Sequence, residues 1–125
     1  MMEANFDAKK ELLSTLEGNP LLSEWVKGGF HNLFAPDSII YPRVIYQEIR
    51  NSDSDYADNE PQSAIVGYQI SIYCDQQTIS SQTKIAKEID KTLKSIGYYR
   101  YDSQDLYEKE DNISHKVMRY EKKFM

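Results

Sequence analysis

The clearest hydrophobic alternation in the chain spans residues 63–74. Val66, Tyr68, Ile70, Ile72 and Cys74 fall on one side; Gly67, Gln69, Ser71 and Tyr73 fall on the other. A period of two predicts a half-buried central strand. After a short break the period changes to that of a helix over 80–96. Ile85, Ile89, Leu93 and Ile96, with Ala86 and Ile79 nearby, form an apolar stripe there, and Lys84, Lys87, Glu88, Asp90, Lys91 and Lys94 face water. Ser80 or Ser81 is placed to cap this helix, lysines gather toward its C-terminus, and Gly97 stands where a left-handed residue ends it.

The remaining elements are read outward from these two. A helix is expected over 5–17, capped by Asn5 and ended near Gly18, with Phe6, Leu12, Leu13 and Leu16 on its inner face. Pro20 opens a short second helix over 21–27, with Leu22, Trp25 and Val26 turned inward and Gly28-Gly29 as the stop. Residues 30–42 read as irregular. A strand follows over 43–50, started by Pro42, with Ile45, Gln47 and Ile49 as the expected inner face and Val44, Tyr46 and Glu48 outside. The polar run NSDSDYADNEPQ at 51–62 reads as a long loop between antiparallel strands. Strands over 98–107 (with room for an interruption) and 115–124, joined by a charged turn, complete the chain. The predicted class is α+β: a mostly antiparallel sheet of about four strands, one long helix packed on a face, and an N-terminal helix. Residues 1–125 are expected to form a single domain, with 1–29 an N-terminal helical segment and 39–125 a β-β-α-β-β core.

Charge narrows the function classes. Twenty acidic against fifteen basic residues give a net charge of −5, which argues against duplex binding, where phosphate neutralisation by a basic face supplies most of the affinity. No apolar run approaches the ~20 residues needed to span a bilayer, so no membrane partner is expected. The start, Met-Met-Glu-Ala-Asn-Phe-Asp, lacks the basic and apolar regions of a secretory signal, which places the chain in the cell that makes it. A single cysteine excludes an intrachain disulfide.

Catalytic constellations are missing from the pattern. His31 and His115 are isolated from any sequence-visible nucleophile or orienting partner, and both read as structural or exposed. Cys74 continues an apolar alternation and reads as core. Asp53, Asp55 and Asp58 suggest the start of a calcium loop, but Ala57, Asp58 and Ala64 occupy positions that need a ligand, a glycine and a glutamate. The expectation is therefore no enzyme, no cofactor and no metal. Two interaction features remain: a candidate assembly loop marked by Asp53, Asp55, Tyr56 and Asp58, and a candidate interface rim of Lys116, Arg119, Lys122 and Lys123 on the last strand. The rim also reads as charge protecting an edge strand from unwanted pairing.

The order of several short motifs carries a resemblance. Tyr41-Pro42-Arg43-Val44-Ile45-Tyr46-Gln47-Glu48, then Asp55-Tyr56-Ala57-Asp58-Asn59, then Tyr68-Gln69-Ile70-Ser71-Ile72-Tyr73, are followed by Ile96-Gly97-Tyr98-Tyr99-Arg100 and His115-Lys116-Val117-Met118-Arg119-Tyr120. From about Pro20 onward the chain resembles the tail completion (tail terminator) proteins of long-tailed phages and Gram-positive prophages. The resemblance implies a small α+β fold and a ring, commonly a hexamer, that caps the tail tube. It implies three partners: other copies of the chain, the tail tube protein and the head connector. It implies assembly in the host cytoplasm and residence in the virion tail, with no catalytic residues to carry over. Another neck component, a small ligand-binding module and a nucleic-acid adaptor are the alternatives.

Overall fold

The computed structural model describes residues 4–34, 36 and 39–125. Positions 1–3, at the expected start, and positions 35, 37 and 38, within the expected irregular stretch, lie outside the described residues. The elements are helices α1 (Ala8–Glu17) and α2 (Pro20–Trp25), strands β1 (Phe30–Asn32), β2 (Arg43–Ala57) and β3 (Glu60–Cys74), helix α3 (Gln82–Ser95), and strands β4 (Tyr99–Glu108) and β5 (Ile113–Phe124). The class is α+β. The five strands form one sheet in the order β1-β2-β3-β5-β4, in which only β1, parallel to β2, departs from antiparallel pairing.

The central strand follows its alternation. Val66, Tyr68, Ile70, Ile72 and Cys74 are all fully buried, and the α3 stripe of Ile85, Ile89 and Leu93 is buried in the same cluster. Met118 and Tyr120 from β5, Val44 and Tyr46 from β2, and Leu12, Leu16 and Leu22 from the first two helices complete this core. Asn19 ties the helical layer together. Its side-chain oxygen accepts from the Leu21 and Leu22 amides, capping α2, while its Nδ2 donates to Glu88 (2.7 Å) and Thr92 (2.9 Å) on α3. Gly97 has φ +100, the left-handed end that the helix pattern predicts. Gly28 is required for a different reason: a Cβ there would lie 2.2 Å from the Ile40 carbonyl oxygen.

Five expectations are corrected. The inner face of β2 is Val44 and Tyr46, not Ile45, Gln47 and Ile49, because the helices lie on the Val44 side; Ile49 sits in a β-bulge and is 38% exposed. Phe6 precedes the helix and is exposed, and Asn5 does not cap it. Asn5 is buried instead and donates to Asn51 at 2.8 Å. Neither Ser80 nor Ser81 caps α3. A 3-10 turn over Ile79–Ser81 leads into the helix, stabilised upstream by reciprocal side-chain bonds between Asp75 and Thr78. Part of the stretch expected to be irregular forms β1, whose three residues need only β2 beside them. The fifth correction concerns the acidic segment.

Candidate assembly interface

Residues 51–62 are not a loop. β2 and β3 continue through them as paired strands to a two-residue turn at Asp58-Asn59. Both turn residues have positive φ, 53° and 64°, the left-handed pair that a tight hairpin matching strand twist requires and that Asp and Asn tolerate best. Pairing of β3 with β5 ends at Ala64 opposite Phe124, so residues 54–63 extend past the sheet as a two-stranded arm. The bulge at Glu48/Arg50 shifts the register at the arm's base, and Asn5 fastens that base through Asn51.

The acidic residues therefore decorate a ribbon rather than surround a point. Asp55, itself at φ 53°, is ion-paired with Lys123 and lies 2.7 Å from the Ser63 hydroxyl. The bond to Lys123, then that from Ser63, holds its carboxyl below the usual range. Tyr56 is 64% exposed near the tip. Among the described residues no group of three His, Cys, Asp or Glu side chains is arranged to hold a metal ion.

The basic rim is dispersed by the topology. β5 is an interior strand between β3 and β4, so no edge exists there to protect. Strand alternation sends Lys116 and Lys122 to the helix side and Arg119 and Lys123 to the opposite face. Each has a partner: Lys116 pairs with Asp105 (2.7 Å), Arg119 with Asp102 (2.6 Å), Lys122 with Glu11 (3.2 Å) and Lys123 with Asp55. As a continuous surface the four do not exist.

The edge on this side of the sheet is β4 instead. Nine of its ten residues are exposed, including Tyr99, Tyr101, Leu106 and Tyr107. An exposed, aromatic strand paired on one side only fits a protein partner, since aromatic side chains are enriched in interface cores. The sequence contains these tyrosines but not the strand order that leaves them at an edge.

The remaining candidates for chemistry sit in structural roles. His31 lies 2.6 Å from the Gly28 carbonyl oxygen through Nε2. His115 stacks on Tyr73 at 4.6 Å. Burial pushes its pKa down, against the opposing effect of Glu108. The Cys74 thiol is buried and its pKa is raised by desolvation. Among the described residues Asp90 is the most heavily bonded carboxylate. Burial pushes its pKa up, but Lys94 (2.7 Å), Tyr120 (2.8 Å) and Arg100 (3.0 Å) outweigh burial and hold it below the usual range.

The same architecture occurs elsewhere. A chain from the virion of a native gene transfer agent particle matches with a TM-score of 0.66 at 10% identity, over 90% of this chain and 90% of that one. It is a fold that occurs in a virion. The gp17 protein of bacteriophage SPP1 matches with a TM-score of 0.57 at 12% identity, covering 98% of this chain and 91% of the phage protein. At these identities the likeness is one of fold. No family model matches the sequence, and no curated protein does.

Proposed function

We propose that this chain is a structural protein of a phage or prophage tail: a subunit of the ring that caps the tail tube and joins tail to head. The observation that carries the reading is the fold shared along nine-tenths of both chains with a component of a gene transfer agent virion. The match to a bacteriophage protein supports it, as do the motifs between Tyr41 and Tyr120. A ring subunit must offer its neighbours two different surfaces that close by rotation. The β4 edge and the hairpin arm are two such surfaces, on strands at different places in the sheet. The protein works by contact with its own copies, the tail tube protein and the head connector. It has no turnover. It assembles in the host cytoplasm and remains in the virion tail.

The test is deletion of the gene from an inducible prophage that carries it, followed by electron microscopy of the lysate. DNA-filled heads separated from tails of uncontrolled length are expected. Joined, normal virions would contradict the proposal. Unjoined heads beside tails of normal length would move the protein to a neighbouring position in the neck.

A further inference from the structure

Charge is segregated within this acidic chain. The arm segment 51–62 holds Asp53, Asp55, Asp58 and Glu60 and no basic residue. On the helix side, a groove of about 220 Å³ lies between α3, β4 and β5, lined by three basic side chains, Lys87, Arg100 and Lys116, one acidic one, Asp90, and the hydroxyls of Thr83 and Ser103. Arg100 and Lys116 already face Asp90 and Asp105. Lys87 is exposed and has no carboxylate within ion-pair distance among the described residues, so the groove keeps positive charge to offer. Lys94 beside it is paired with Asp90 and Lys84 stands over the Trp25 ring, so among the described residues Lys87 is the cation the groove itself leaves free.

We propose that the acidic tip of the arm, around Asp58 and Glu60, docks into the Lys87–Arg100–Lys116 groove of a second copy of this chain. The inference rests on the ring reading and names the contact that would close the ring. Charge complementarity selects the occupant. Geometry makes it a different copy. Met118 on the groove floor is in register with Ile70, and Glu60 lies ten residues away along the same strand. At a rise of ~3.3 Å per residue, tip and groove are about 33 Å apart within one subunit. The arm cannot fold back to its own groove, so each subunit gives its tip in one direction and receives one from the other. Such a contact is heterologous and propagates around a ring. A rigid two-residue turn with polar side chains loses little conformational freedom on docking.

The test is disulfide trapping with the full chain carrying Tyr56→Cys beside the tip and Thr83→Cys on the groove lining, which leaves Asp58, Glu60 and Lys87 in place. Both sites are exposed and neither has a positive φ, so the fold and the turn are kept, while the native Cys74 is buried. A disulfide needs Cα atoms within about 7 Å, which the separation inside one subunit forbids. Under mild oxidation at high protein concentration, the double variant is expected to give a ladder of trimers and above on a non-reducing gel, closing at the ring size and lost on reduction. Each single variant should stop at dimers. A control pairing Tyr56→Cys with Gln77→Cys, outside the groove, should give no comparable ladder; an equal ladder there would mean random collision and overturn the proposal. Rings visible by electron microscopy without a ladder would overturn the arm–groove contact and leave the ring reading standing. Monomers throughout, with neither rings nor ladder, would overturn both.

Discussion

Replacing Ile89 with alanine probes the packing of α3 on the sheet. Ile89 is fully buried at the middle of the helix stripe. The substitution removes three carbon groups, worth about 2.5 kcal/mol at ~0.8 kcal/mol each. Ile85 and Leu93 hold the helix in place one turn away on either side, so collapse onto the site is partial. A residual cavity of ~40 Å³ adds about 1 kcal/mol. The total, about 3.5 kcal/mol, is a large fraction of the ~5–15 kcal/mol that holds a domain together. For 125 residues the unfolding entropy is about 0.26 kcal/mol/K, so the melting temperature should fall by about 13 °C. In urea, with a slope of about 2 kcal/mol/M, the midpoint should fall by about 1.7 M. Circular dichroism during denaturation reads both. Lys91→Ala, on the exposed side of the same helix, should change stability by less than about 0.5 kcal/mol. Ile89→Asp buries an unpaired charge and should abolish folding. A loss below about 1 kcal/mol for Ile89→Ala, or a folded aspartate variant, would refute the assignment of this stripe to the core.

Asp90→Asn should cost about 1–3 kcal/mol at neutral pH, because the bonds from Lys94, Tyr120 and Arg100 lose their charge. The folded pKa of Asp90 lies below its unfolded value, so its stabilisation is complete above the unfolded value and is lost as pH falls through the folded one. The deficit of the asparagine variant should therefore shrink on acidification, and a deficit constant down to pH ~3 would contradict the arrangement. Asn59→Val should cost about 1–2 kcal/mol, since a β-branched residue resists the left-handed turn, whereas Asn59→Gly should be nearly neutral. Urea titration checks both, and a valine variant as stable as wild type would show that the arm does not depend on this turn.

What the sequence revealed, and what it withheld, follows from the range of each interaction. The period-two face of 63–74 and the period-3.6 stripe of α3 were legible because each repeats within one element. The glycine at position 97 was legible because helix ends demand a left-handed residue locally. The inner face of β2 was misread because Ile45 and Ile49 look more apolar than Tyr46, and only the position of the helices decides which side is covered. The arm was misread because polar composition suggested a loop, although Asp58-Asn59 flanked by Tyr56 and Pro61 carried a hairpin signal in its two turn-forming residues. The reading of β5 as an edge failed for a topological reason. Nothing in the chain order says that β5 inserts between β3 and β4, and that insertion turns a supposed edge into an interior strand and leaves β4 exposed. The groove is assembled from residues near 87, 100 and 116, and no local pattern announces it.

The most direct measurement of the central claim is the position of the protein in a particle. An epitope tag at the C-terminus of the chain, carried by an inducible prophage and detected with gold-labelled antibody, should mark one site at the head-proximal end of each tail. Label spread along the tube, label at the distal tip, or particles without label would contradict a role in closing the tail and joining it to the head.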